Sequence, residues 1–210
     1  MTKSHSRLFA LAVISVALAG CATSSGQPVA AIAQSAIASA YLPLSGRVHL
    51  GLDNAAGAAM AIAPGIAVTN AHNENLLDGA ALIGTARDYD LLFFRTQNNS
   101  VYVPVGGTAA PVIGGAVTAY GQDSDNRLRI AHGVVKEIVT CPDCTAPAYF
   151  IFEGNAGPGF SGGPVVDAQS RLAGITFGYK DEGGKRLIYA YDMARVRAEL
   201  SALQNGQKAQ

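Results

Sequence analysis

Short apolar runs separated by Gly, Asn and Asp follow one another along the chain from Leu42 onwards. Runs of this length and spacing predict β-strands of a sandwich or barrel, and no regular alternation of strands with longer helices appears. The pattern therefore predicts an all-β domain. The predicted strands are 45–51, 57–62, 65–70, 80–85, 90–95, 100–104, 115–120, 128–139, 148–153, 164–167, 171–178 and 186–190.

Few helices are expected beside these strands. Asp192 is a good N-cap residue, and an apolar stripe follows it at helical spacing, which predicts a C-terminal helix over 192–203. A helical turn is expected at 71–76 and a short helix near 30–39. The segment 106–111, which is rich in Gly and ends in Pro, is a candidate linker between two half-domains.

The N-terminus has the pattern of a secretory signal. Lys3 and Arg7 precede an apolar run, 8–19, that is too short for a membrane span, and small residues then lead to Cys21. This arrangement resembles the bacterial lipobox, which implies lipidation of Cys21 and cleavage before it; the alternative is an ordinary signal peptide. We expect a signal peptide over 1–20, a lipid-anchored tether over 21–41, a domain over 42–204 and a flexible tail over 205–210.

Lipidation of Cys21 would place the protein in the bacterial cell envelope, facing the periplasm and in contact with the lipid bilayer. Ala22 stands where an inner-membrane retention signal has an aspartate, which favours the outer membrane. The numbers of acidic and basic residues are equal, 15 and 15. No basic face is indicated, so nucleic acid is not an expected partner.

Cys141 and Cys144 enclose a Pro-Asp turn. In an exported protein this spacing predicts a local disulfide, with free thiols as the alternative. A redox site would need a surrounding βαβ pattern, and one cysteine pair does not complete a zinc tetrahedron. No metal and no cofactor are therefore expected.

The segment 154–164 contains a single serine, Ser161, among five glycines and two prolines. Such a loop brings backbone N–H groups close to a ligand, so Ser161 is a candidate nucleophile whose oxyanion those groups would stabilise. The alternative is a tight turn with an incidental serine. The histidines decide which serine chemistry is possible, because all of them precede Ser161, whereas an α/β-hydrolase has its histidine after the serine.

His72 is the candidate general base because it follows an apolar strand at a small-residue turn, where a rigid scaffold would position it. The other histidines are less suitable, since they lie in the signal peptide or within predicted strands, at His5, His49 and His132. Asp90 opens an apolar run and is favoured as the residue that orients His72. Asp88, in the preceding turn, is the alternative.

Three segments together resemble trypsin-like serine proteases, especially the bacterial high-temperature-requirement branch. These are 63–72 around the histidine, 90–94 around the aspartate and 158–166 around the serine. The similarity extends over about 43–203. It implies two packed six-stranded antiparallel β-barrels of the chymotrypsin type with a C-terminal α-helix, and a site between them that cleaves protein or peptide substrates.

The resemblance also implies roles for individual residues. Ser161 would attack the substrate carbonyl, His72 would transfer the proton, and Asp90 would orient His72. The backbone N–H groups of Gly159 and Ser161 would form the oxyanion hole. The substrate pocket would be lined by four residues, Asn155, Thr176, Phe177 and Gly178.

Two departures from the family bear on function. Phe160 stands where digestive enzymes carry an aspartate that pairs with a newly cut N-terminus, so that activation step is not expected. Asn155 is neutral, which argues against a preference for Lys or Arg in the substrate.

Two alternatives to a serine endopeptidase remain open: a non-catalytic protein that binds peptides or partners with this fold, and an acyl hydrolase of the esterase type.

Overall fold

The structure, a computed structural model, describes residues 25–47, 54–141 and 147–208. These residues form twelve strands and two α-helices. In chain order the elements are β1 (Gln27–Pro28), α1 (Ser35–Ala40), β2 (Tyr41–Arg47), β3 (Asn54–Ala63), β4 (Ile66–Thr69), β5 (Leu82–Thr85), β6 (Leu92–Arg95), β7 (Ala116–Gln122), β8 (Leu128–Val139), β9 (Tyr149–Gly154), β10 (Pro164–Asp167), β11 (Leu172–Glu182), β12 (Lys185–Asp192) and α2 (Met193–Lys208). Two 3₁₀ helices lie at Ala71–Leu76 and Val105–Gly107.

The C-terminal half forms a closed barrel of six strands. Antiparallel pairing runs β8-β7-β10-β11-β12-β9, and β9 pairs back onto β8 and closes the ring. The short strand β1 adds to β8 at the end that β9 leaves free, with Gln27 opposite Ile130. Closure removes the free sheet edges and surrounds a core of aromatic and aliphatic side chains, among them Phe150, Phe152 and Phe160.

The N-terminal half forms a second sheet of five described strands in the order β2-β3-β4-β6-β5. Every residue of β4 is buried, in keeping with its three apolar residues, Ile66, Ala67 and Val68. The prediction of an all-β, chymotrypsin-like fold with a C-terminal helix is confirmed. The first sheet has five strands in the described residues where the family pattern implies six, in keeping with the short sequence between His72 and Asp90.

One core cluster joins the two sheets. It contains Met60 and Phe93 from the first sheet, Tyr120 and Ile175 from the barrel, and Val196 from α2. All five side chains are at most 2% exposed. Because burial of such side chains is the main stabilising contribution to a fold, this cluster fixes the relative position of the two sheets and of the cleft between them.

Residues 25–40 differ from the tether that their composition predicts. Ile32, Ile37 and Ala40 are buried in the core cluster that joins the sheets. Tyr120 donates its hydroxyl hydrogen to Gln34 Oε1 at 2.9 Å. Three apolar side chains at suitable spacing are enough to hold this segment on the domain, so the described fold begins well before the predicted boundary at 42.

Two further boundaries differ from the sequence prediction. The predicted strand 100–104 is no strand, because Pro104 lacks the N–H that would continue a ladder; Val103 alone bonds to β3, through Ala61 O at 2.9 Å. Helix α2 extends to Lys208, so much of the predicted tail is helical. Among the described helices none is both long and apolar enough to span a membrane.

Candidate active site

His72 and Asp90 meet at one end of the first sheet. In the antiparallel pair β4–β6, Thr69 lies opposite Leu92, so the residues after Thr69 and before Leu92 leave the sheet together. His72 Nδ1 is 2.6 Å from Asp90 Oδ2, and the His72 backbone N–H donates to Asp90 Oδ1 at 3.1 Å. The alternative acid, Asp88, is exposed and in the described residues makes no such bond to His72.

The Asp90 main chain is held from two sides. The Asn70 side-chain amide donates to Asp90 O at 2.9 Å, and the Asp90 N–H donates to the Tyr191 hydroxyl at 2.9 Å. Tyr191 comes from β12 of the barrel, and its ring stacks on Phe177 with centroids 4.1 Å apart. The barrel thus fixes a residue of the first sheet. Sequence reasoning does not identify Tyr191, since only the distant pairing of the two halves brings it to Asp90.

The Asp90 carboxyl group and the Tyr191 hydroxyl group both have shifted pKa values. Burial raises the pKa of Asp90, but the hydrogen bond and the charge of His72 lower it by more, so the net pKa lies below its ordinary value. Burial raises the pKa of Tyr191 to about 12. Asp90 is therefore ionised and Tyr191 neutral at neutral pH, the states in which an aspartate can orient an imidazole.

Ser161 lies in a double turn. The Phe160 N–H donates to Gly157 O at 3.1 Å, and the Gly163 N–H donates to Phe160 O at 2.9 Å. Gly159 and Gly162 occupy the third positions of these turns with φ of 85° and 80°. Positive φ at that position is typical of type II turns and favours glycine, which explains the glycine spacing in the sequence.

Hydrogen bonds tie the serine turn to the sheet that carries His72. Ser161 O accepts from the Ala58 N–H at 2.9 Å and from the Asn73 side-chain amide at 3.1 Å. Asn73 also donates to Thr69 Oγ1 at 3.0 Å, and Thr69 donates to Ala58 O at 2.7 Å. Because Asn73 is the neighbour of His72, this buried network fixes the imidazole-bearing turn relative to Ser161.

His72 and Ser161 line the same cleft, which has a volume of about 390 Å³. Gly159, Pro158 and Gln122 form its wall on the barrel side. A Cβ atom on Gly159 would lie 1.8 Å from Gln122 O, so no larger residue fits without movement of the loop. In the described part of the chain, the N–H groups of Gly159 and Ser161 have no hydrogen-bond acceptor.

Phe160 does not enter the cleft. Its side chain is fully buried in the barrel core, and its ring lies close above Gly121, where a Cβ atom would be 2.6 Å from Phe160 Cγ. A second glycine, Gly26, faces the far end of the ring. The phenylalanine that departs from the digestive enzymes is thus an apolar anchor beneath the serine turn.

The four predicted pocket residues are not among those that line the cleft with His72 and Ser161. Asn155 is exposed and lines a separate depression of about 700 Å³ with His132 and Arg186. Thr176 is buried beside the serine turn and its carbonyl oxygen accepts the Gly162 N–H at 2.8 Å. Phe177 and Gly178 continue along β11, where Phe177 stacks on Tyr191.

Several predicted residues lie away from the cleft or outside the described residues. Cys21, His49 and Cys144 fall outside the described ranges. Cys141 is disulfide-bonded, and its pairing with Cys144 stays a prediction. His132 lies on β8 and contacts Thr118 Oγ1 at 3.1 Å through Nδ1. In the residues that are described, no three His, Cys, Asp or Glu side chains are grouped so that they could hold a metal ion.

The sequence also matches a known protein family. A family described as "Trypsin-like peptidase domain" matches residues 55–175, more than half of the chain. None of the curated proteins compared with the chain matches it.

Solved structures match the fold. The MamO protease domain from Magnetospirillum magneticum is 17% identical, with a TM-score of 0.60, over 78% of this chain and 97% of that one. Rv3671c from M. tuberculosis H37Rv, in an inactive form, is 16% identical, with a TM-score of 0.63, over 87% and 97%. The HtrA-type protease AlgW with tripeptide is 20% identical, with a TM-score of 0.61, over 82% of this chain and 62% of AlgW.

Proposed function

Because the chain belongs to the trypsin-like peptidase family, we propose that it is a serine endopeptidase of the bacterial cell envelope. One observation carries the proposal: the 2.6 Å His72–Asp90 contact and Ser161, on its glycine-constrained double turn, face one cleft. General base, orienting acid and nucleophile are the three groups that acyl transfer by serine needs.

In the proposed reaction Ser161 Oγ attacks the carbonyl carbon of the scissile peptide bond while His72 Nε2 takes the hydroxyl proton. The carbonyl oxygen becomes an oxyanion that accepts hydrogen bonds from the N–H groups of Gly159 and Ser161. The tetrahedral intermediate then collapses, the C–N bond breaks, and the leaving nitrogen receives the proton from His72. Water, activated by the same imidazole, hydrolyses the acyl-enzyme and regenerates Ser161.

Asp90 would act through His72. Its carboxylate would accept a hydrogen bond from the His72 Nδ1–H, so Nε2 is left as the basic atom toward Ser161. The lowered pKa of Asp90 supports this role, since the carboxylate stays ionised when the imidazole gains a proton. The hydrogen bonds of Tyr191, Asn70 and Asn73 would hold the proposed acid, base and nucleophile in their relative positions.

We propose polypeptides as substrates, with neutral side chains at the residue before the cleaved bond. The lining of the 390 Å³ cleft in the described residues includes no carboxylate, so nothing there would select Lys or Arg. Its walls are formed by small and amide side chains, among them Ala55, Ala56 and Asn75. Small to medium apolar or polar side chains fit such walls.

The proposed location rests on Cys21 and the signal pattern before it. Lipidation of Cys21 would attach the peptidase to a membrane facing the periplasm, with the outer membrane favoured by Ala22. Metabolic labelling with a fatty-acid analogue tests this part of the proposal. Label that is lost in Cys21→Ala supports the anchor, and an unlabelled wild-type protein contradicts it without affecting the proposed chemistry.

Cleavage of a reduced, unfolded protein tests the enzymatic part. Wild type should cut the protein internally at several peptide bonds, and Ser161→Ala and His72→Ala should not. A matched control is His132→Ala, because His132 lies on β8 outside the cleft. Peptide binding without cleavage by wild type would instead favour a non-catalytic binding protein, and hydrolysis of esters alone would favour an acyl hydrolase.

A further inference from the structure

Residues Ser25 and Gly26 lie directly against the loop that leads to Ser161. The Gly26 N–H donates to Asn155 O at 2.6 Å. A Cβ on Gly157 would be 2.1 Å from Ser25 Oγ, so the Ser25 side chain rests on the Gly157 backbone. This two-residue segment therefore contacts the loop at its start and in its middle, although it is far away in the sequence.

Gly26 also contacts the residue next to the nucleophile. A Cβ on Gly26 would be 2.7 Å from Phe160 Cζ and 2.7 Å from Ile130 O. The Gly26 φ of 66° is in the region that favours glycine. Phe160 is thus enclosed between Gly26 at the tip of its ring and Gly121 at the base, with no exposed surface.

Two arginines hold the segment in place. Arg129, which is buried, donates from Nε to Ser25 O at 3.0 Å and from Nη2 to Gly26 O at 2.7 Å. Arg186 Nη1 lies 3.5 Å from both Ser25 Oγ and Ala156 O. Each arginine therefore links the segment to the barrel, and Arg186 links it to the serine loop as well.

We infer that Ser25–Gly26 is a positioning segment for the oxyanion hole, an inference that rests on the proposed function. Phe160 lies between the two residues whose N–H groups would form the proposed oxyanion hole, so a shift of its ring would move the main chain on both sides of it. Gly26 fixes the tip of that ring and, through Asn155, the start of the loop. The segment acts through Gly159 and Ser161 and does not touch the substrate.

Fluorophosphonate labelling of Ser161 in the full-length protein tests the segment. Gly26→Ala places a methyl group against Phe160 and Ile130, and we expect the labelling rate constant to fall on the order of 10²-fold, as for loss of an oxyanion donor. The final extent of labelling should stay that of wild type, because Ser161, His72 and Asp90 are unchanged. Gly79→Ala is the matched control: Gly79 has φ of 65° and open space around it.

Arg129→Met is a second and independent variant. It tests the positioning role of Ser25–Gly26 even if Gly26→Ala does not fold. It removes the donors to Ser25 O and Gly26 O, and labelling should again be slow at full final extent. Arg127→Met is its control, since Arg127 is exposed and pairs with Asp123 and Asp125 and not with the segment.

The outcomes separate the positioning segment from the proposed function. If wild type is labelled on Ser161 and both variants react as fast as their controls, the segment has no positioning role and the proposed function stands. If only the labelled fraction falls, with the rate constant unchanged, the segment merely supports folding and the inference is overturned. A wild-type protein that is never labelled contradicts the proposed function itself.

Discussion

Among the described residues, one side-chain group of the barrel bonds to the Asp90 main chain, and this is the Tyr191 hydroxyl. The substitution Tyr191→Phe removes the hydroxyl with little other change. The ring can keep its stack on Phe177 at 4.1 Å and its edge contact with Tyr89 at 5.7 Å. What is lost is the acceptor of the Asp90 N–H at 2.9 Å. The substitution therefore tests whether the barrel positions the acid of the first sheet.

The structure sets the expected size of the effect. An intramolecular hydrogen bond contributes about 0.5–1.5 kcal/mol, and an N–H left without a partner costs about 1–3 kcal/mol when buried. Asp90 is half-buried, so water can partly replace the hydroxyl, and we expect a loss of about 1–2 kcal/mol of unfolding free energy. If about 1.4 kcal/mol of the bond acts in the transition state, kcat/KM falls about tenfold.

Peptide hydrolysis and thermal unfolding measured on the same samples provide the assay. Tyr189→Phe is the control: Tyr189 lies on the same strand and contacts Phe177, and among the described residues its hydroxyl has no hydrogen-bond partner. A lower Tm with unchanged kcat/KM for Tyr191→Phe would show that the bond is only structural. Equal values for both variants would show that Tyr191 does not position Asp90 at all.

Three further predictions concern the acid, the oxyanion turn and the helix cap. Asp90→Asn should lower kcat about 10⁴-fold while Asp88→Asn has little effect, as a comparison of hydrolysis rates will show; the reverse ranking would exchange their roles. Gly159→Ala should lower kcat on the order of 10²–10³-fold with KM nearly unchanged, because its Cβ would meet Gln122 O at 1.8 Å, and unchanged kcat would contradict the assigned hole. Asp192 caps α2 through the Ala194 N–H at 2.6 Å, and burial raises its pKa, so its contribution to stability is lost as pH rises above about 4. Denaturant unfolding should thus show Asp192→Asn at least as stable as wild type at pH 7, and wild type the more stable of the two below pH 4. Asp192→Ala should be about 1 kcal/mol less stable than wild type at both pH values.

Much of the fold follows from local sequence pattern. Strand β8 occupies its predicted range, 128–139, because its flanking turns and its alternation are both clear. The helix cap Asp192 is likewise identifiable from residue type and the stripe behind it. The fold of 25–40 is not, since Ile32 and Ile37 become informative only when the core that receives them is known.

In the candidate site, too, some residues can be predicted from local sequence and others depend on contacts between distant segments. His72, Asp90 and Ser161 can be proposed from motif order, because each stands at the end of a strand or in a glycine-rich turn. Tyr191 and Gly26 cannot be proposed in this way, because each meets the site across a large sequence separation. The burial of Phe160 depends on two glycines, Gly26 and Gly121. Nothing in the sequence around either glycine indicates that it contacts Phe160.

Whether Ser161 is a nucleophile activated by His72 can be decided by mass spectrometry of the protein after fluorophosphonate treatment. We expect one adduct per folded chain, located on Ser161, absent in Ser161→Ala and formed far more slowly in His72→Ala. An unmodified Ser161 in folded wild-type protein, or an adduct that forms equally fast without His72, would contradict the proposed chemistry.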